Sequence, residues 1–286
     1  MIVLLTGSSG QLGKSFYPNL SKDYQLVQYN SGSLDFKDLN KLDKTIREIR
    51  PNIIINTAAY TDVDSAEKNI EEAKLINAEA VGVIAEVAKK LDTILVHYST
   101  DFVFDGKTNE GFYEDDIPNP VNNYGISKLE GEKYLINSGC KHFIIRTSWL
   151  YSTFGNNFFT KIINSAKKGN DILVVNDQYG SPTSTSLLVK TTLKLLNKPD
   201  AKYGIYHVAS KEKISKYDFA SYFLNALLEK NFFDTKINFV ATQTINSKSN
   251  AVRPFNSYLE TSKIEKELSF SLPHWKSDCN EVLSNL

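Results

Sequence analysis

The chain has 286 residues, 41% hydrophobic and 12% aromatic, enough to bury a large core in one domain or in a domain with a smaller lobe. Its 33 Lys and Arg balance 33 Asp and Glu, so no overall field favours nucleic acid or an anionic membrane, and an anionic ligand needs a local site. No apolar run reaches bilayer length, the N-terminus starts strand-like without a signal-peptide pattern, and Cys140 and Cys279 lie too far apart for metal spacing; free thiols in a reducing cytoplasm are expected.

In chain order, short β-branched runs alternate with longer helical patterns. Segments 2–6, 25–29, 52–56, 93–99 and 142–147 read as buried strands, and 11–20, 38–49, 66–90 and 122–138 as helices. Across 66–90 the apolar positions Ala66, Ile70, Ala73, Ile76, Ala80, Ile84 and Val87 recur at helical spacing, and Asp64 with Glu67 resembles a capping box at the start. Strands alternating with helices imply crossover connections, hence a Rossmann-type α/β fold with a doubly wound parallel sheet and ligands beyond the carboxyl ends of its strands. The second half changes character: strand-like 171–177, 203–209 and 237–242, helical 184–197 and 215–229, a loop at 244–250 and an irregular tail. It is expected to return one or two elements to the sheet and to build a smaller C-terminal lobe. The division expected is a dinucleotide-binding domain over 1–150, completed by elements from about 178–210, and a lobe mainly from 151–286.

"TGSSGQLG" (6–13) sits between the first strand and the first helix, with Gly7, Gly10 and Gly13 spaced G-x-x-G-x-x-G. Missing side chains tighten the turn and let a pyrophosphate approach N–H groups at a helix N-terminus, which points to a dinucleotide. After the second strand, Asn30 and Ser31 are neither the acidic residue that binds a ribose diol nor a basic partner for a 2′-phosphate. Asn30 still bonds a hydroxyl and repels no phosphate, so NADPH is favoured and NADH is the alternative.

"NNYGISKLEGEKYL" (122–135) sets Tyr124 and Lys128 four apart, on one helix face. A phenol has a pKa of about 10, and a nearby cation favours phenolate and draws that value toward the working range. An ordinary amphipathic helix gives the same spacing. The context decides: "HYSTDFVFDG" (97–106) leaves the fourth strand where its hydroxyl faces the cleft, so Thr100 could share a proton with Tyr124 at a carbonyl oxygen. Asp101 either orients a sugar hydroxyl or caps the following turn.

The motifs "GSSGQLG", "AAYTDVDSAE", "STDFVFDG", "PVNNYGISKLEGE", "RTSWLY", "DQYGSPT" and "RPFNSYL" run almost end to end. Together they resemble the extended short-chain dehydrogenase/reductases and, within them, the dTDP-4-dehydrorhamnose reductase family. The resemblance implies reduction of the 4-keto group of a dTDP-linked 6-deoxyhexose, with Thr100, Tyr124 and Lys128 as the catalytic set. It places Gly10, Gln11, Leu12, Asn30, Asp35, Phe36, Ala58, Ala59 and Tyr60 around the cofactor, and Thr61, Val63 and Trp149 at the substrate. Asn157, Arg253 and Asn256 are further candidates, with Arg253 suited to bidentate bonding of a diphosphate.

The chain departs from the family pattern at Asn30, where an aspartate is frequent, at Phe102, where a tyrosine is common, and at Ser15, where some relatives hold a metal through an acidic residue; no metal is carried over. The expected assembly is a monomer or homodimer. A reductase for another dTDP-6-deoxyhexose and a non-catalytic NADP-binding regulatory subunit are the alternatives. His97, His142, His207 and His274 have no ligand spacing and read as structural, and Glu114, Asp115 and Asp116 as a solvated loop.

Overall fold

The computed structural model describes residues 1–233, 237–246 and 249–286. The first half alternates as the pattern demands: β1 (Ile2–Thr6), α1 (Gln11–Asp23), β2 (Gln25–Tyr29), α2 (Leu39–Ile49), β3 (Ile53–Asn56), α3 (Val63–Ala66), α4 (Ile70–Lys74), α5 (Ala80–Leu91), β4 (Ile94–Thr100), α6 (Asn123–Ser138) and β5 (His142–Thr147). The second half adds β6 (Leu150–Tyr151), α7 (Phe158–Lys167), β7 (Ile172–Val175), β8 (Tyr179–Gly180), β9 (Thr183–Ser184), α8 (Thr185–Leu196), β10 (Gly204–His207), β11 (Ile214–Ser215), α9 (Lys216–Glu229), β12 (Phe239–Thr242), α10 (Ser262–Leu268) and α11 (Trp275–Leu283).

Six strands form one parallel sheet in the order β10-β5-β4-β3-β1-β2. Strand order reverses between β1 and β3, which opens a crevice at their carboxyl ends. Period-two burial explains the layering. Val3, Leu5, Ile55 and Val96 face α1, α8 and α10 through Phe16, Leu188 and Ile264. Their neighbours Leu4, Ile54 and Leu95 face α2, α5 and α6 through Ile46, Ile84 and Leu135. A separate aromatic core joins α7, α9 and α11 through Phe159, Phe223 and Trp275 and packs on β7, which pairs in parallel with β12. β10 returns to the main sheet beside β5, as the second-half pattern implied.

Three expectations are corrected. The tail is not irregular: α10 and α11 are short, and their apolar spacing is hard to see in so few residues, yet Ile264 enters the main core and Trp275, Cys279 and Val282 the lobe core. Segment 66–90 is not one helix. It breaks after α3 and passes through a π-helical turn at Leu75–Glu79, from which the Asn77 amide clamps both backbone groups of Tyr60 and bonds Ser127. The capping residue of α3 is Asp62, which accepts from Ser65 N–H. Asp64 and Glu67 instead tie remote segments: Asp64 accepts from the 249–253 stretch, and Glu67 from the backbone and side chain of Asn123.

Candidate active site

A single cavity of about 920 Å³ runs from the β1–α1 turn across the ends of β3, β4 and β5 to β7 and the start of α9. At its phosphate end Gly7 has φ of +68°, and a Cβ there would stand 2.5 Å from the Ala58 nitrogen, so only glycine permits the turn. Gly10 caps α1 without a side-chain bond, and the first turn carries no acidic residue. The N–H groups of that turn and the positive end of the helix therefore face the cavity, and they suit a pyrophosphate.

Gln11, Leu12, Asn30, Asp35, Phe36, Ala58 and Ala59 line the same end. Gly13 and Tyr60 stand outside the wall: Gly13 is tucked under the Gly7 carbonyl, and Tyr60 is held by Asn77. Asn30 accepts from the N–H groups of Gly32 and Ser33, so its oxygen orders the loop that it was expected to turn toward a ribose.

The reacting end depends on a close helix approach. Gly125 lets α6 descend onto the chain leaving β4; a Cβ there would lie 2.2 Å from the Phe102 carbonyl oxygen. The Tyr124 phenol thereby meets the Thr100 hydroxyl, with the Phe102 ring edge-on at 5.9 Å between centroids. Thr100 donates to Asp101 at 2.9 Å and accepts from Phe102 N–H, so Thr100, rather than Asp101, caps the turn. Asp101 is buried, which raises its pKa against the bonds it receives from Ser257, Ser148 and Thr100.

Burial pushes the Tyr124 phenol up to about 12, the Thr100 bond opposing and the Asp101 charge reinforcing. The expected lowering by Lys128 is absent, because the lysine turns away from the phenol. Only 1% exposed, Lys128 donates to the Tyr98 carbonyl at 2.6 Å and meets His97 Nε2 at 3.2 Å. Burial draws its pKa down to about 8, with Glu132 opposing.

The far end is lined by Thr61, Val63, Trp149, Asn157, Gln178, Lys216 and Arg253. Lys216, the first residue of α9, donates to Gln178 Oε1 at 2.6 Å and lies 5.2 Å from the centre of the Trp149 ring. Burial first, then the Arg253 charge, brings its pKa down to about 7. Arg253 pairs with Asp64 at 2.8 Å. Burial would raise the Asp64 pKa, but bonds from Ser249 and Ala251 and the Arg253 charge outweigh it and leave the carboxyl lowered.

The family model of the RmlD substrate binding domain matches residues 1–286. The dTDP-4-dehydrorhamnose reductase of Escherichia coli (strain K12) is 36% identical, with 100% of this chain and 98% of that protein aligned. The chain belongs to the dTDP-4-dehydrorhamnose reductase family. Among solved family structures, the Bacillus anthracis reductase in complex with NADP superposes with a TM-score of 0.92 at 34% identity, covering 100% of this chain and 99% of that one. The Clostridium acetobutylicum reductase gives 0.90 at 33% identity, with 100% and 99% covered.

Two candidates are spent on structure. Asn256 lies outside the cavity and donates to the Thr108 and Glu110 carbonyls. Asn157 reaches the wall, but it caps α7 and its amide bonds Gln11, Ser152 and Phe154. Sequence reasoning missed Lys216 and Gln178, whose signal was only their place beside "DQYGSPT" and at a helix start. It also missed Glu114, which is no solvated loop residue: it is buried and accepts from His207 N–H at 2.8 Å. Among the described residues no group of three or more His, Cys, Asp or Glu could hold a metal, and Ser15 instead bonds Thr185. Nor, among them, is any helix long and apolar enough to cross a membrane.

Proposed function

We propose that this protein reduces the 4-keto group of dTDP-4-dehydro-L-rhamnose to give dTDP-L-rhamnose, using NADPH in preference to NADH. The observation that carries the reading is the convergence of Thr100, Tyr124 and Lys128 on one wall of a cavity whose other end is an open glycine turn. The glycine turn and the uncapped start of α1 suit the pyrophosphate, held by Gly10, Gln11 and Leu12. Asp35, Phe36, Ala58 and Ala59 line the remainder of the cofactor's path. Asn30 and Ser31 offer no carboxylate to repel a 2′-phosphate, and a family member crystallised with NADP supports the same choice.

When bound, NADPH supplies the hydride that reduces the sugar C4 carbon. Tyr124 gives its phenolic proton to O4, and its upward-shifted pKa keeps that proton in place until negative charge develops on the oxygen. Thr100 steadies the phenol and, by exchanging its bond to Asp101, can reach the same oxygen. Lys128, on the same wall, would bond the ribose side of the cofactor. The Trp149 ring lies against the sugar, Thr61 and Val63 border it, and Lys216 with Arg253 balances the diphosphate.

The test is NADPH oxidation with the 4-keto sugar nucleotide, repeated with NADH. Full activity in both Tyr124→Phe and Lys128→Ala would sink the assigned mechanism, and cofactor binding without turnover would sink the activity.

A further inference from the structure

Behind the cavity wall, Thr6 on β1, Asn56 on β3, His97 on β4 and Lys128 on α6 form a line of polar side chains, none more than 1% exposed. Donor and acceptor chemistry fixes its direction. Asn56 Oδ1 accepts from Ala58 N–H at 3.2 Å and from the Thr6 hydroxyl at 2.7 Å. A backbone N–H can only donate, so the amide cannot be turned over, and Asn56 Nδ2 faces His97 Nδ1 at 3.1 Å as the donor.

Nδ1 is then an acceptor, and a neutral imidazole must carry its proton on Nε2. The neutral form is the one present, because burial holds His97 well below the usual histidine range. Nε2–H points at Lys128 Nζ, 3.2 Å away. An ammonium there would set donor against donor in a dry interior. A neutral amine accepts that proton with its lone pair and still donates to the Tyr98 carbonyl.

We infer that Thr6, Asn56 and His97 are positioning residues that set the proton affinity of Lys128, by locking His97 as its Nε2–H tautomer and so favouring the neutral amine. Charging the lysine requires His97 to move its proton to Nδ1, which forfeits the bond from Asn56. The other groups around the lysine are few. Glu132 lies one turn on in α6 and favours the cation, but Arg146 of β5 engages both its oxygens at 3.0 and 2.7 Å. Tyr124 lies one turn back with Asp101 beyond it, and His142 of β5 acts on the far side of His97. Burial alone already brings the lysine down to about 8, so the tautomer acts on a group within reach of neutral pH. Its relevance to catalysis rests on the role given to Lys128 above, whereas the tautomer does not.

Two readouts test the inference separately. Nitrogen-15 NMR of His97 in the wild-type protein should report the Nε2–H tautomer, whether or not the protein turns over any sugar nucleotide; the Nδ1–H form would overturn the proposal. The second readout is the alkaline limb of kcat, where loss of the Lys128 cation lowers the rate and Lys216, which acts on KM, does not enter. Asn56→Asp keeps an acceptor for Ala58 and Thr6 but reverses the chain, accepting from His97 Nδ1–H and turning the Nε2 lone pair to the lysine. The limb should move up by about one pH unit or more, a tenfold gain in proton affinity. Asn56→Ala, which adds no charge, should move it the same way by less. A limb that stays in place or moves down in both variants would overturn the coupling.

Discussion

At the Tyr124 end of the cavity the charges are dry and fully engaged: Arg146 and Glu132, 2% and 1% exposed, form a two-pronged pair behind Lys128. At the Lys216 end the ion pair beside the lysine is wetter: Arg253 and Asp64, 22% and 38% exposed, meet across segments far apart in the chain. Buried pairs hold geometry and cost several kcal/mol when one partner is lost, whereas partly exposed pairs are screened and contribute little to stability. Under the proposed function, the first end fixes the reacting atoms and the second receives a charged ligand. Substitutions at the first should change rate or folding; those at the second should change affinity.

The largest effect expected is at the rigid end. Tyr124→Phe removes the proton donor and should lower kcat by roughly 10²- to 10⁴-fold, the range of general acid catalysis, with KM little changed in steady-state assays. Glu132→Gln leaves the Arg146 guanidinium buried against a neutral partner, and urea unfolding should show a loss of about 3–5 kcal/mol. Gly125→Ala forces α6 off the Phe102 carbonyl and parts Tyr124 from Thr100. A misplacement on that scale costs about 100-fold in kcat, read in the same assay.

At the receiving end, Lys216→Met should raise KM for the nucleotide sugar by about tenfold with kcat preserved, the worth of one charge-assisted bond. The pH dependence has a definite sign. Lys216 is cationic below its pKa of about 7, so KM should rise as pH increases through that value, and the Met variant should lose the dependence. A kcat collapse at Lys216 with unchanged KM would erase the contrast between the ends.

The effect farthest from the site concerns a buried histidine. His207 titrates at about 3 in the fold, drawn down by burial first and then by Arg146, against about 6.5 unfolded. Between those values the unfolded chain binds more protons, so stability falls on acidification, by about 1.4 kcal/mol per pH unit for this site. Denaturation midpoints from pH 6.5 downward should show the slope, and His207→Gln should remove the His207 share of it while leaving that of His97.

The same contrast explains what was legible beforehand. Strand and helix periodicity exposes residues carried on regular elements, so the glycine turn, Thr100 at the end of β4 and the Tyr124–Lys128 face could be placed from spacing. Lys216, Gln178 and the Asp64–Arg253 pair come together only when irregular segments from both halves fold against each other, and no local pattern encodes that meeting. Asp64 illustrates the difficulty: its spacing to Glu67 mimics a helix cap, while its carboxylate serves a segment nearly two hundred residues on. The direction of the Lys128 amine is equally hidden, because it depends on His97 and Asn56 from two strands.

The most direct test of the central claim follows an isotope. The purified protein is given nicotinamide-C4-deuterated NADPH and dTDP-4-dehydro-L-rhamnose, and the product is read by NMR. The account predicts deuterium at sugar C4 in a product of rhamno configuration, formed by the wild type and nearly lost in Tyr124→Phe. Cofactor binding with no deuterium transferred, or a product with the opposite C4 configuration, would contradict it.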